Sequence, residues 1–389
     1  MQQFPDIETG VREIPATELK ARLDAGERVT VLDTRRPEDF ETWHISGPNV
    51  RSVNVPFTEF LDGDDPAGRV PDAVPEGPLV TCCAKGISSL FVAKFLAREG
   101  WTVEGLADGM EGWARLYEAT ELDVDGATVV QYHRPSSGCL AHMIVSESPD
   151  GTREAAVVDP LRAFADRYVE DARSRGAELR YALDTHVHAD HVSGVREVSA
   201  LTGATVVLPE GATGRGLAFD ARLVGGGETL DLGGDAIETV ALPGHTTEMT
   251  GYRVGDVLLA GDTLFLRGVA RPDLEAGDEG APAAARRLFE TLVGLEALPA
   301  ETVVAPGHTS DGEEPAPDGT FTRALGDLLE SLSLPEDEGT FVERVLARMP
   351  PRPANYETII EANLGRGTLT DEAAFEAELG PNNCAAPAD

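Results

Sequence analysis

Residues 184–191 read DTHVHADH, which places three of the chain's eight histidines and two aspartates in one short stretch. Three more side chains of the same types, His245, Asp262 and His308, follow later apolar runs. Imidazole and carboxylate groups without a thiolate suit zinc or iron, and they argue against a closed structural thiolate site. The pattern predicts a metal centre, which the sequence alone does not assign to one ion or two.

The strand-like runs before these residues explain how the candidate ligands can meet. RYALDT precedes the histidine-rich stretch, and IETVALPG, DVLLAG and TVVAPG precede His245, Asp262 and His308. Ligands at the ends of successive strands can converge at one edge of a sheet, where loops on a rigid scaffold carry function. We therefore expect one centre built from several loops.

A second chemical signal lies near the start of the chain, in LVTCCAKGISSLFVAKFL. It reads as a strand, a short loop and a helix, with Cys83 at the helix entrance. Unpaired N–H groups and the helix dipole at that position stabilise a thiolate or an anionic persulfide. Cys82 precedes it on the strand, so its side chain should point to the opposite face and pack there.

The chain organisation predicts two units and a helical end. Residues 10–121 alternate β-rich runs with helical stretches, which is typical of an α/β fold with a parallel sheet. Residues 122–315 are richer in strands and glycine, and residues 316–389 read as a mostly helical extension. We expect Cys384 to lie in a flexible C-terminal tail.

The charge and cysteine content of the chain exclude some kinds of partner and of fold. Sixty-eight acidic residues face 32 basic ones, giving a net charge of −36, and only three of the basic residues are lysines. Such a charge destabilises a compact state unless salt screens it, so we expect a halophilic protein of a salt-loaded cytoplasm. Nucleic acid and anionic membranes are unsuitable partners. The start of the chain shows no secretory signal, and four irregularly spaced cysteines do not form a disulfide framework.

The histidine-rich stretch resembles a known family. THVHADH matches the H-x-H-x-D-H signature of the metallo-β-lactamase fold, an αββα sandwich, and His245, Asp262 and His308 occupy the places of its later ligands. The following run, AGDTLFLRGVARPDL, resembles the persulfide dioxygenase branch, whose members carry R-G-x-x-R-x-D-[LF] after the metal aspartate. That resemblance implies one Fe(II) per chain, held by His186, His245 and Asp262 as a facial triad.

The same resemblance implies roles for the other polar residues. His188, Asp190, His191 and His308 would orient the ligands, or would hold a second ion if the protein binds two zinc ions instead. Arg271 and Arg267 are candidates for binding a carboxylate of the thiol carrier bidentately; the alternative for either is an ordinary surface ion pair.

The first unit resembles rhodanese domains. VLDTRRPEDFETWHISG resembles their opening motif, with Trp43 in place of a glycine, and GLADGMEGW matches their closing motif. The matching positions of the opening motif are Asp33, Arg35, His44, Ile45 and Gly47. The resemblance implies that Cys83 carries sulfane sulfur and that Lys85, Gly86 and Ser88 of its loop bind substrate. Many such loops have arginine where Ser88 stands, which weakens the expected recognition of thiosulfate. The alternative is a catalytically silent scaffold.

Together the two units predict an enzyme of sulfur metabolism. The metal domain would oxidise a small thiol persulfide with O₂ to sulfite and thiol, and the rhodanese-like domain would feed it persulfide or make thiosulfate from sulfite. The alternatives are a two-zinc thioester hydrolase of the glyoxalase II kind and a persulfide relay to a protein acceptor. A homo-oligomer is compatible with the sequence, which does not identify the thiol.

Overall fold

The protein is described from a computed structural model that covers residues 9–61, 78–124, 126–310, 312–334 and 337–387. The chain divides into two compact units, Met1–Tyr117 with Arg134–Ser137 and Glu118–His133 with Gly138–Asp389. Within the covered ranges, no helix has both the length and the apolar character needed to cross a membrane.

The first unit is an α/β domain with a parallel sheet. Its elements are β1 (Arg12–Ile14), α1 (Ala16–Asp24), β2 (Val29–Asp33), α2 (Pro37–Thr42), β3 (Val50–Asn54), β4 (Leu79–Cys82), α3 (Ile87–Arg98), β5 (Val103–Leu106) and α4 (Gly109–Ala114). The strand order is β1-β5-β4-β2-β3, and every described pair is parallel. The expected fold class is confirmed here.

Both faces of this sheet are buried. The run VTVLD of β2 is buried at every position, as expected for a parallel strand covered by helices on both sides. Val31 packs with Ile14 and Trp113 in one apolar cluster, whereas its neighbour Leu32 packs with Phe91 in another. Successive side chains therefore point to opposite faces of the sheet.

The second unit contains two larger sheets and most of the helices. Its elements are β6 (Glu118–Val124), β7 (Ala127–Arg134), β8 (Cys139–Glu147), β9 (Arg153–Val158), α5 (Ala165–Ser174), β10 (Ala177–Leu183), α6 (Val195–Thr202), β11 (Thr205–Pro209), β12 (Arg222–Val224), β13 (Thr229–Leu232), β14 (Asp235–Ala241), β15 (Thr250–Val254), β16 (Val257–Gly261), β17 (Leu264–Phe265), β18 (Gly268–Ala270), α7 (Gly277–Leu295), β19 (Val303–Pro306), β20 (Arg323–Ala324), α8 (Leu325–Leu332), α9 (Glu338–Ala347), α10 (Tyr356–Asn363), α11 (Asp371–Ala377) and β21 (Ala385–Pro387). The boundary expected at residue 122 falls inside β6.

These elements form an αββα sandwich. One sheet has the order β12-β11-β10-β9-β8-β7-β6 and the other β13-β14-β15-β16-β19-β20. Ile144 and Leu183 of the first sheet pack against Ile237 and Leu259 of the second in one buried cluster. A separate cluster joins the second sheet to α7, α8 and α9, while α5 and α6 contact β10.

Strand direction brings three later candidate ligands to one edge of the second sheet. Strands β14 and β15 are antiparallel, as are β15 and β16, whereas β16 and β19 are parallel. Strands β14, β16 and β19 therefore run the same way, and the residues that follow them, His245, Asp262 and His308, leave the sheet at the same edge.

The C-terminal segment differs from the expectation. Strand β21 pairs with β18 in a three-stranded sheet that also contains β17, and Cys384 is completely buried. The tail expected to be flexible is ordered up to Pro387, because its backbone completes the edge of a strand that follows Asp262. The sequence does not reveal this strand because three residues after a loop have no periodicity to detect.

Candidate metal centre and sulfur-carrier loop

Three buried side chains from different loops meet at one point. His186 Nε2 lies 4.0 Å from Asp262 Oδ2, and His245 Nε2 lies 3.8 Å from the same oxygen. All three side chains are about 1% exposed. The ligand atoms of all three side chains lie within 4.8 Å of one another, so the group could hold a metal ion.

The free atoms of this group fit a metal ion. His186 Nε2 and Asp262 Oδ2 are buried without a hydrogen-bond partner, an arrangement that is costly unless a ligand satisfies them. His245 Nδ1 donates to the carbonyl oxygen of Arg271 at 2.8 Å, so its Nε2 carries the lone pair that faces Asp262. The donor set is two imidazoles and one carboxylate, which suits iron or zinc.

A glycine makes room for the carboxylate of this group. A Cβ added to Gly307 would lie 2.4 Å from Asp262 Oδ1, well inside van der Waals contact. Gly307 directly precedes His308 at the end of β19, so the loop that carries one histidine passes against the aspartate of the neighbouring strand. Only glycine allows that approach without moving the carboxylate.

His308 lies between two carboxylates. Its Nδ1 is 2.7 Å from Asp262 Oδ1, and its Nε2 is 2.7 Å from Asp190 Oδ2. Since a carboxylate only accepts, both nitrogens donate, and neither offers a lone pair to a metal in this arrangement. Asp190 Oδ2 also accepts from His191 Nδ1 at 3.1 Å. His191 Nε2 and Asp190 Oδ1 are left buried without partners.

Electrostatics separate the histidines into two groups. Burial lowers the pKa of His186 and of His245, and the neighbouring imidazoles lower the pKa of His186 further. Burial acts in the same direction on His308, but Asp262 and Asp190 outweigh it and hold its pKa well above the ordinary value. The imidazoles that face Asp262 Oδ2 are therefore neutral, whereas His308 carries a charge.

His188 is oriented by Asp184 of the histidine-rich stretch and by Asp159, which was not among the candidates predicted from the sequence. Its Nε2 donates to Asp159 Oδ1 at 3.0 Å and lies 3.6 Å from Asp184 Oδ1, and its Nδ1 is buried without a partner. Burial opposes the charge of His188, but the carboxylates raise its pKa to about 9. Asp159 follows the buried strand β9 as Asp262 follows β16, a signal that could have identified it.

The helical extension supports the histidine-rich loop. Asn363, at the end of α10, donates through Nδ2 to the carbonyl oxygens of His188 and His191 and accepts from the backbone N–H of Ser193. Glu378, just after α11, accepts from the N–H of Val192. A loop that carries three histidines is thus fixed by residues about 170–190 positions later in the chain, which no local pattern could reveal.

The two candidate arginines lie in different surroundings. Arg271 is 1% exposed, and it pairs with Asp273 at 2.7 Å while donating to the carbonyl oxygens of Pro351 and Asn383. Its nitrogens are therefore engaged within the protein, in a buried pair and not in the surface ion pair considered as the alternative. Arg267 is exposed in the turn between β17 and β18.

Two buried cysteines adjoin His308. Cys139 Sγ is 3.3 Å from Asp190 Oδ2, and Cys139, Asp190, His191 and His308 form one compact group of potential ligand atoms. Cys384 forms another such group with Asp262 and His308. None of the candidate ligands predicted from the sequence is a cysteine, but strand β8 and the C-terminal segment bring two cysteines that are remote in sequence close to them.

In the first unit, Cys83 lies at the entrance of α3 as predicted. Its Sγ accepts from Ser89 N at 3.5 Å and from Ser89 Oγ at 3.3 Å. Burial raises the thiol pKa, but hydrogen bonds from the Ser88 and Ser89 side chains and from the Ser89 and Lys85 backbone lower it overall. Cys82 is fully buried in an apolar cluster, where burial raises its pKa.

The start of α4 shapes the Cys83 loop. Met110 N donates to the carbonyl oxygen of Cys83 at 2.8 Å, and Glu111 N donates to that of Ala84 at 3.0 Å. Gly109 has φ +54°, and a Cβ there would lie 2.0 Å from the Cys83 carbonyl oxygen, so no other residue fits. Gly86, the residue before α3, also has a positive φ of 78°.

Comparisons with known proteins match both units. The Metallo-beta-lactamase superfamily profile matches residues 137–308 and the Rhodanese-like domain profile matches residues 15–116. Persulfide dioxygenase ETHE1, mitochondrial, of Homo sapiens is 31% identical over 57% of this chain and 83% of that protein. Hydroxyacylglutathione hydrolase of Acidiphilium cryptum (strain JF-5) is 37% identical over 40% of this chain, and the match spans only 59% of that relative's length.

A solved structure supports the same assignment. The crystal structure of ETHE1 from Myxococcus xanthus aligns with a TM-score of 0.52 at 26% identity, covering 61% of this chain and 98% of that one. The chain belongs to the metallo-beta-lactamase superfamily and carries a rhodanese-like domain before its metallo-beta-lactamase domain.

Proposed function

We propose that this protein is an iron-dependent persulfide dioxygenase that holds one Fe(II) per chain with His186, His245 and Asp262. The overall reaction is R–S–SH + O₂ + H₂O → R–SH + SO₃²⁻ + 2 H⁺. The rhodanese-like domain carries sulfane sulfur on Cys83 in the same pathway. The substrates are small molecules, and the identity of the thiol R–SH stays open.

The observation that carries the choice of one ion is the position of His308. Both of its nitrogens donate to carboxylates, Asp262 on one side and Asp190 on the other. A second ion bound through His308 Nε2 would have to displace its hydrogen bond to Asp190. The charged imidazole instead supplies the positive charge that balances the two buried carboxylates.

Neighbouring residues orient the candidate ligands through hydrogen bonds. The Arg271 carbonyl oxygen fixes the tautomer and ring orientation of His245. Thr185 Oγ1 lies 2.9 Å from His186 Nδ1, which leaves His186 Nε2 facing Asp262. Iron(II) held by these three residues would supply the one-electron chemistry that the reaction of persulfide with O₂ needs.

The sequence run after Asp262 also supports this proposal, together with the similarity to ETHE1 proteins. Arg271 and Asp273 of that run form a buried pair, so we assign them to holding the loop instead of binding the substrate. Arg267 is exposed beside the same loop and stays the candidate for a carboxylate of the thiol carrier.

Oxygen uptake tests the reaction directly. Iron-loaded protein given glutathione persulfide should consume O₂ and form sulfite in equal amounts, and zinc-loaded protein should do neither. Zinc-loaded protein that turns over a glutathione thioester equally well without O₂ would refute the proposal.

Metal analysis of single variants tests the ligand assignment. His186→Ala, His245→Ala and Asp262→Ala each remove a ligand and should retain little iron. Asp190→Ala and His308→Ala should retain about one iron per chain with affinity or activity reduced roughly 10–100-fold. His133→Ala removes a histidine of the same unit outside the centre and should match the parent protein.

A two-zinc thioester hydrolase is the second candidate. It is favoured by the similarity to hydroxyacylglutathione hydrolases and by the unpartnered Asp190 Oδ1, His191 Nε2 and His188 Nδ1. It predicts two ions in the native protein, one of which is lost in Asp190→Ala and in His308→Ala.

The third candidate is a persulfide relay to a protein acceptor. It predicts sulfur transfer from Cys83 without O₂ uptake.

The net charge of −36 supports a further proposal, that the protein works in a salt-loaded cytoplasm. At molar salt the Debye length shrinks to about 3 Å, so most of the repulsion between the acidic side chains is screened.

A further inference from the structure

We propose that Arg215 and Glu248 are positioning residues of the metal centre. Their buried ion pair holds the backbone between His186 and His188, and through it the direction of the His186 imidazole. The inference rests on the proposed function in taking His186 as a metal ligand. It assigns a role to two residues that lie outside the ligand set predicted from the sequence.

The pair binds both backbone polar groups of one residue in the histidine-rich loop. Val187 N donates to Glu248 Oε1 at 3.1 Å, and Arg215 Nη1 donates to the Val187 carbonyl oxygen at 3.4 Å. The N–H belongs to the peptide group that follows His186, and the carbonyl oxygen belongs to the one that precedes His188. Because each peptide group is planar, the two contacts fix two consecutive planes and the directions in which both imidazoles leave the backbone.

The two side chains also bind each other. Arg215 Nη1 lies 2.6 Å from Glu248 Oε1, where the Glu248 side chain is fully buried and that of Arg215 is 10% exposed. One carboxylate oxygen therefore accepts from both the guanidinium and the Val187 N–H. Among the described residues, Glu248 Oε2 has no hydrogen-bond partner. Hydrogen bonds between charged groups are short and strong, so the pair is a stiff support for the loop.

The backbones that carry the pair are held against each other. Arg215 follows the short turn Glu210–Thr213, and its carbonyl oxygen accepts from Arg366 Nη1 at 3.0 Å. A Cβ added to Gly211 of that turn would lie 2.6 Å from Glu248 Cβ, so the turn packs directly against Glu248. The position of the ion pair is therefore set by the fold on both sides.

Glu248 links two loops that carry candidate ligands. It lies three residues after His245 and accepts from the neighbour of His186. Burial and the neighbouring imidazoles lower the pKa of His186 most, and the Arg215 guanidinium adds to that effect. Burial also lowers the pKa of His245, and Glu248 is among the carboxylates that oppose it. The charges of the pair therefore act on both histidines, which agrees with the contacts.

A double substitution separates positioning from folding. Arg215→Met alone leaves a buried carboxylate without its cation, which is strongly destabilising, whereas replacing both partners of a buried pair with apolar residues is often neutral. Arg215→Met combined with Glu248→Leu therefore removes the contacts with Val187 and leaves no unpaired charge. Its melting temperature should stay close to that of the parent protein.

Metal binding and amide exchange are measured in this full-length double variant. Equilibrium dialysis with Co²⁺ should show an affinity reduced roughly 10–100-fold, as for other residues that orient metal ligands. Hydrogen exchange of the metal-free protein, followed by mass spectrometry, should be faster at the Val187 amide and unchanged in β10. Parent-like Co²⁺ affinity, or parent-like exchange at Val187, would overturn the proposal.

Two single variants of nearly the same shape test the contact without the double substitution. Glu248→Gln keeps an oxygen that can accept from the Val187 N–H, and it should bind Co²⁺ within about threefold of the parent protein. Glu248→Met has no such acceptor, and its affinity should fall about tenfold or more. Equal affinities of these two variants would refute the role of the hydrogen bond.

Controls separate this inference from the proposed function. Arg253 and Glu238 pair at 2.7 Å across neighbouring strands of the same unit, and Arg253→Met combined with Glu238→Leu should leave Co²⁺ binding unchanged. Parent-like Co²⁺ binding by His186→Ala would overturn the ligand assignment and this inference with it. Loss of Co²⁺ in His186→Ala, together with parent-like binding in the Arg215 and Glu248 variants, would refute the positioning role alone.

Discussion

The protonation of the buried His142 side chain can be used to test how burial affects the stability of the second unit. It lies on β8 and is 2% exposed. The Phe321 N–H donates to Gln131 Oε1 at 2.7 Å, which orients the Gln131 amide so that its Nε2 faces His142 Nε2 at 3.3 Å. Because Gln131 Nε2 can only donate, His142 Nε2 must accept, and the imidazole is neutral. Protonation would place two donors against each other.

The size of the expected change in the free energy of unfolding follows from the pKa of His142. Burial lowers this pKa from 6.5 to about 4, and the attraction of Asp159 only partly opposes the shift. The unfolded chain therefore binds a proton that the folded protein rejects, and stability is lost as the pH falls from about 6.5 towards 4. Between pH 7 and pH 5 the loss amounts to about 2 kcal/mol.

Urea unfolding of the parent protein and of His142→Gln at the two pH values measures this contribution. The neutral amide cannot take up a proton, so the free energy of unfolding of the second unit should fall about 2 kcal/mol less in the variant. Trp43, Trp101 and Trp113, the only tryptophans, lie in the first unit, and their fluorescence is an internal control that should show no difference. Equal pH dependence of the circular dichroism transition in both proteins would refute the argument.

Three further predictions concern packing, sulfur loading and salt. Gly307→Ala should displace the Asp262 carboxylate, because the added Cβ lies 2.4 Å from its oxygen, and metal analysis should show most of the metal lost; Gly294→Ala, where nothing lies within 4 Å, should bind metal normally. Cys83→Ser should abolish the persulfide adduct seen by mass spectrometry and leave O₂ uptake with free persulfide intact, whereas loss of the adduct in Cys82→Ser would show that the loop is assigned one residue out of register. The melting temperature should rise steeply from low to molar KCl, and an unchanged value would show that repulsion between the acidic side chains does not limit the stability of the fold.

Local sequence predicted most of the strands and the residues that end them. Apolar runs such as DVLLAG and TVVAPG are β16 and β19, and parallel pairing places Asp262 and His308 at the same edge. The position of Cys83 at the entrance of α3 could be predicted equally well, because the strand, the glycine-containing loop and the helix are all defined by neighbouring residues. In both cases the chemistry follows directly from an element that the sequence defines by itself.

Contacts between remote residues could not be predicted in this way. The sequence of α10 does not indicate that the Asn363 amide donates hydrogen bonds to the carbonyl oxygens of His188 and His191. Cys139 and Cys384 are separated by most of the second unit and still both lie close to His308. The three-dimensional pairing of β18 with β21 brings the C-terminal segment to the centre.

Arg271 shows how these remote contacts change the interpretation of a motif. In the sequence it is an arginine near the candidate metal ligand Asp262, which suggests recognition of an anion. In the structure its carbonyl oxygen orients His245, its guanidinium holds Asn383, the neighbour of Cys384, and Asp273 neutralises its charge. The motif therefore joins the C-terminal segment to a candidate ligand. We expect Arg271→Lys to weaken metal binding more than it changes the Michaelis constant for persulfide, since a lysine cannot reproduce the bidentate pair. A variant with full metal content and a selectively raised Michaelis constant would return Arg271 to the substrate site.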